Sequence, residues 1–167
     1  MSAAVLNYES GRMRETLMNN DKPLIAALLG ALSTIPGEIF TRLLVSFGIG
    51  QYSIYQLDSL FVTFDRPTVI IGVIVNIIFG GFIGTVFYYL LQKLGQDYLI
   101  LKGLTIGLLS WALTELLFTS TIEGKYIPIR SLSDYYIHIS GAVVFGVTLG
   151  LLFKKYLVTN PARLDNR

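Results

Sequence analysis

The chain has 167 residues, of which 53% are hydrophobic and only 14% charged, with a mean hydropathy of +0.60 and a formal charge of +2. Water-soluble domains carry about 25% charged residues, so this deficit excludes an ordinary soluble domain and points to lipid, while so small a net charge leaves no electrostatic footprint for nucleic acid. Cysteine is absent, which excludes thiolate metal sites, thiol nucleophiles and disulfides.

Four apolar runs, about 24–47, 68–91, 99–122 and 136–156, carry most of the hydrophobic residues. Each reaches the roughly 20 residues that cross a hydrocarbon core about 30 Å thick. The predicted architecture is therefore all-α: one polytopic domain over residues 23–157, with short polar segments at 1–22 and 158–167. The first run starts too late and is too long for a cleaved signal peptide. Four crossings place both termini on one side. That side carries nine basic residues (Arg12, Arg14, Lys22, Lys93, Lys102, Lys154, Lys155, Arg163 and Arg167), against Arg66, Lys125 and Arg130 in the opposite loops. The excess of Lys and Arg predicts a cell-membrane protein with cytoplasmic termini.

In chain order, residues 9–15 form at most a turn or two of surface helix, and Asp21-Lys22-Pro23 opens the first span with Pro in its first turn. Within it, Ala26, Gly30, Thr34, Glu38 and Arg42 recur every four residues. Pro36 cannot donate to the carbonyl of Leu32, so a kink or local unwinding is predicted, with Ser33 and Thr34 available to freed backbone groups. In the loop that follows, Ile54, Leu57, Phe61 and Phe64 fall at helical spacing. They predict a short amphipathic helix near 52–64, lying on the outer surface or packed against the protein itself. The second span carries Gly72, Asn76, Gly80 and Gly84, and Gly80-x-x-x-Gly84 is the small-residue pattern of close helix contact. The link 92–97 makes a tight hairpin into the third span, with Gly103, Gly107, Trp111 and Glu115. The loop at about 123–134 reads as ordinary connection. The fourth span shows His138, Ala142, Gly146 and Gly150.

Two matches suggest duplication. Spans one and three share Gly-x-Leu-Ser-x-x-x-x-Glu (Gly30 to Glu38, Gly107 to Glu115). Spans two and four share Phe-Gly-x-x-x-Gly-x-x-Phe (Phe79 to Phe87, Phe145 to Phe153). Both run in the same direction, so they predict tandem hairpins related by an axis along the membrane normal.

At 1.5 Å per residue, Glu38 lies roughly 14 Å below the outer face, Arg42 roughly 8 Å, Asn76 roughly 12 Å and Glu115 roughly 10 Å, with His138 close to the surface. Ionisable groups at such depth face the bundle interior and pair. Glu38 and Arg42 are one helical turn apart in the favourable order, and the guanidinium can take a second carboxylate. A Glu38–Arg42–Glu115 network with Asn76 and His138 at its margin is predicted, leaving Glu115 as the acid in excess. Such a pocket would bind or move a small solute, ion or proton; the competing reading is a neutralised network that only fixes helix register. With one histidine in the chain, a metal site is the lesser reading, and Trp111 reads as packing. No Gly-x-Ser-x-Gly, His-Glu-x-x-His or phosphate loop occurs, and Ser33 and Ser110 have no adjacent base; neither an enzyme nor a cofactor is predicted.

The four spans, the early Pro36-Gly37-Glu38, the Leu-Lys-Gly-Leu-x-x-Gly opening of span three (Leu101 to Gly107) and the late Gly146-x-x-x-Gly150 resemble small uncharacterised membrane proteins of Gram-positive, spore-forming bacteria. The resemblance implies a four-helix membrane fold and transfers no binding or catalytic residue. Beyond the lipid bilayer, the partners expected from the sequence are a second copy or another membrane protein met through the glycine faces, as in an accessory or scaffold subunit.

Overall fold

The computed structural model describes residues 21–158; the turn expected near residues 9–15 and most of the tail lie outside them. Five α-helices follow in order: α1 Lys22–Ser46, α2 Ile54–Thr63, α3 Val69–Leu94, α4 Leu99–Thr121 and α5 Leu132–Phe153. The last continues into one π-helical turn, Lys154–Val158. α1, α3, α4 and α5 are long and apolar enough to cross a membrane, as expected where lipid leaves backbone groups no partner outside the helix.

The long helices line up in the order α3, α1, α5, α4. α1 packs on both α3 and α5, α5 on both α1 and α4, while α3 and α4 barely touch despite their short link. Burial follows this order: 44% and 50% of the apolar windows of α1 and α5 are buried, against 22% and 17% for α3 and α4. An axis along the membrane normal would give α1 and α4 equivalent surroundings. Here one is central and the other flanking, so the sequence matches acquire no such axis in the packing.

Within each hairpin, glycine sets the contact. A Cβ on Gly30 would strike the carbonyl of Gly80 and stand 2.7 Å from Gly84 Cα; one on Gly103 would stand 2.5 Å from the carbonyl oxygen of Gly146 and 2.9 Å from Gly150 N. Backbones this close leave no space for side chains, which is the use small residues have between membrane helices. By contact, Gly30 thus corresponds to Gly103, one helical turn away from its sequence match Gly107. Gly107 itself packs on Ala142 and Gly146. These glycine faces are all consumed inside the chain.

α1 stays helical through Pro36. The Ser33 and Thr34 hydroxyls bond the carbonyls of Leu29 (2.6 Å) and Ala31 (2.8 Å), so neither takes up the Leu32 carbonyl that the proline leaves without a donor. At the terminal end, Phe87 and Phe153 pack with ring centroids 4.8 Å apart. There Lys102 Nζ donates to the carbonyls of Leu94 and Gly95, satisfying groups orphaned at the end of α3.

The short helix α2 forms where expected, but it is wedged among the long helices. Tyr55, Leu57, Asp58, Ser59 and Leu60 are buried. Ile54 Cδ1 lies 3.8 Å from where a Gly37 Cβ would be and 2.5 Å from where one on Gly141 would be. Gly72 receives the α2 backbone directly: a Cβ there would collide with the carbonyl of Tyr55 and stand 2.9 Å from Tyr55 Cα. Gly72→Ala is therefore expected to push α2 off α3 and cost about 1–3 kcal/mol, the usual range for overpacking. Reversible unfolding in mixed micelles, with Gly81→Ala as comparison, measures it. Gly81 has its nearest neighbour atom at 3.5 Å, so equal losses at the two positions would contradict this packing.

Candidate functional site

The buried polar groups gather in the half of the bundle that carries the loops. Glu38 holds the start of α2. Its Oε1 accepts from Arg42 Nε (2.9 Å) and Nη2 (2.5 Å) and from Ser53 Oγ (2.9 Å), and its Oε2 from the Tyr55 backbone N–H (2.9 Å). A carboxylate on first-turn N–H groups complements the positive end of the helix dipole. Glu38 is 5% exposed, whereas the Arg42 side chain is 48% exposed.

Arg130 occupies a second centre, and it corrects the predicted network. Its Nη2 pairs with both Glu115 and Glu123 (3.0 Å to the latter), and its backbone N–H donates to Glu123 Oε1 (2.6 Å). The guanidinium lies between the rings of Phe118 and Tyr135, 4.5 and 4.7 Å from their centroids, a favourable seat for a desolvated cation. Glu115 therefore belongs to Arg130 and not to Arg42, because the loop that read as ordinary connection folds its arginine inward. Burial pushes the Glu123 carboxyl up, but the hydrogen bonds from Arg130 and Tyr135 outweigh this and hold it below its ordinary value.

His138 is a further correction. It is 3% exposed, not interfacial, because α5 begins at Leu132 and not near Tyr136. Ser131 stands at the N-cap position with its hydroxyl donating to the Asp134 carboxylate (2.8 Å) in the first turn, so a segment that reads as loop is helix. His138 Nε2 lies 2.9 Å from the Tyr52 carbonyl, which only accepts, so Nε2 carries the hydrogen. Nδ1 faces Arg130 Nη1 at 3.4 Å and is left as acceptor, which makes the ring neutral. Asp134, fully buried, accepts from the backbone N–H groups of Gln51 (2.6 Å) and Tyr52 (3.3 Å). Glu38, Asp134 and His138 together pin the strand of loop that leads into α2.

Between these centres lies a cavity of about 110 Å³. Its polar wall is formed by Asp58, Asn76, Trp111, Glu115 and His138, with Thr34, Ser110 and Thr114; Leu57, Phe79, Ile83 and Phe145 supply apolar wall. All five helices contribute lining residues, among them α3 and α4, which hardly pack on each other. Asn76 Nδ2 donates to Asp58 Oδ2. Among the described residues Asp58 has no basic partner; burial, then the charges of Glu38 and Glu115, outweigh the Asn76 bond and raise its carboxyl from 3.8 to about 7. Asp58 is thus a second acid in excess, beside Glu115, which shares Arg130 with Glu123. Two buried polar atoms of lining residues, Asn76 Oδ1 and Trp111 Nε1, have no partner among the described residues.

Of the sequence-predicted residues, Asn76, Glu115 and His138 reach the cavity, and Glu38 and Arg42 do not. Asp58, Glu123, Arg130 and Asp134 were missed. Asn76 carried a usable signal for Asp58, since a buried amide needs a partner. Among the described residues, no three His, Asp or Glu side chains are grouped as metal ligands. No family model matches the chain, and neither the curated proteins nor the solved structures contain a match.

Proposed function

We propose that this chain is a multi-pass protein of the cell membrane, with both termini cytoplasmic, that binds a small solute, ion or proton in the cavity of its loop half. What carries the reading is a pair of buried polar atoms without a partner among the described residues, Asn76 Oδ1 and Trp111 Nε1, both from residues that line one cavity. Buried polar groups without a protein partner are normally met by water or ligand. Movement of the bound species across the bilayer would need a second copy or a partner subunit, since four helices leave little room for a continuous path. The scaffold alternative loses its main support, because the glycine faces it relied on are occupied within the hairpins.

Absence of native cysteine makes the test clean. Ser110→Cys, on the cavity wall, is expected to react with a small, water-soluble thiosulfonate reagent in reconstituted protein. Leu113→Cys, 63% exposed on the apolar face of α4, is expected to stay unlabelled in lipid. Failure of Ser110→Cys to react in folded protein would mean a sealed, purely structural network. Labelling by a membrane-impermeant reagent from one side also reports the orientation.

A further inference from the structure

The chemistry of the cavity selects among solute, ion and proton, and this selection rests on the reading of the cavity as a binding site. Its titratable lining is Asp58, Glu115 and His138, with no lysine or arginine. Glu115 shares one arginine with Glu123, so that centre keeps an acid in excess, and His138 is neutral because Arg130 Nη1 faces its Nδ1, which is left as acceptor. The groups facing Asp58 are Glu38 from α1, Glu115 from α4 and the neutral amide of Asn76 from α3, with Tyr55 a turn before it on α2. None of them brings a positive charge. An anion therefore has no counter-charge among these lining residues, whereas a cation meets a carboxylate, beside Asn76 Oδ1, an acceptor that no described residue uses.

The other walls narrow the class. Leu57, Phe79, Ile83 and Phe145 cannot replace the hydration shell of an inorganic cation, but they suit a short hydrocarbon body. Since α3 and α4 both line the cavity and hardly pack on each other, and their outer faces are apolar (Ile77, Ile78, Leu113, Leu117), passage between them would suit a molecule already partitioned into lipid. We propose that the cavity binds a small protonated amine with a short apolar body, its ammonium between Asp58 and Asn76 Oδ1. The Trp111 N–H is then left to a water or to a hydroxyl on the ligand. Asp58 holds either a proton or the ammonium, so binding releases a proton over the range in which the acid is protonated.

Trp111 is the chain's only tryptophan, so its emission reports occupancy directly. In wild-type protein in lipid nanodiscs, n-butylammonium is expected to change that emission saturably. Its apparent affinity should rise about tenfold per pH unit from pH 5 towards 7 and then level off. Calorimetry at pH 6 in buffers of differing ionisation enthalpy should register close to one proton released per ligand, a readout that needs no variant. Asp58→Asn should abolish both the binding and its pH dependence. If n-butanol alters the emission as well as n-butylammonium does, with no pH dependence, the amine assignment is overturned while the cavity stands as a binding site. If neither probe changes the emission in protein whose Ser110→Cys variant is labelled, the amine assignment fails although the cavity is reachable. No response together with no labelling removes both readings.

Discussion

Arg130→Ala is expected to cost about 3–5 kcal/mol of stability, the range observed when one partner of a buried ion pair is removed. The guanidinium is fully buried, and its two carboxylate partners are 11% and 4% exposed. Truncation would leave Glu115 and Glu123 unpaired and would empty the space between Phe118 and Tyr135. The cost is mostly that of stranded charge, so it should be recoverable. Adding Glu115→Gln and Glu123→Gln to Arg130→Met should restore much of the loss, since an uncharged, well-filled site carries no desolvation penalty. Unfolding in mixed micelles at pH 7 provides both numbers. An alanine variant within about 0.5 kcal/mol of wild type, the range of ordinary surface substitutions, would show that this arginine is not buried in the folded chain.

The second large effect concerns pH. Asp58 titrates at about 7 in the folded chain, against 3.8 for the free side chain. Between those values the folded chain keeps a proton that the unfolded chain has lost. The resulting stability is fully present below about pH 4 and declines as pH rises through 7, by about 1.4 kcal/mol per unit and on the order of 4 kcal/mol in all. Asp58→Asn has no proton to lose. The difference in stability between wild type and Asp58→Asn should therefore swing in favour of the variant from pH 4 to 8, then become constant. Parallel curves would mean that the carboxyl is solvated or has a cation beside it. Glu123 acts in the opposite sense: its lowered value gives a contribution that is present above the ordinary carboxylate range and is lost as pH falls through the lowered value, so the two effects separate along the pH axis.

Helix α2 and the loop before α5 mark where local pattern stopped being informative. The spacing of Ile54, Leu57, Phe61 and Phe64 announced a helix with one apolar face, yet a surface position and a buried one demand the same face. Gly72 decided between them by letting the Tyr55 backbone touch α3, and nothing in the α2 sequence reports that. Likewise Ser131, Ser133 and Asp134 are polar whether they lie in a loop or in a first helical turn. The difference moved His138 from the boundary into the interior. Arg42 was matched to Glu115 on depth alone, while Arg130, 15 residues from Glu115 along the chain, was read as part of a loop; depth does not report that the loop folds its arginine inward.

Amino-acid sequence by itself determined the environment, the number of crossings and the half of the bilayer in which charge collects, because transfer of long apolar runs into lipid is a large, additive, local term. It also determined the Glu38–Arg42 pair, since one turn of helix fixes that geometry. Only the tertiary structure decided which acid pairs with which base, that α2 lies inside the bundle, and that Asp58 and Asn76 share a cavity with Trp111. Those outcomes depend on side chains far apart in the chain, whose meeting is governed by helix order and by how closely glycine lets two backbones approach.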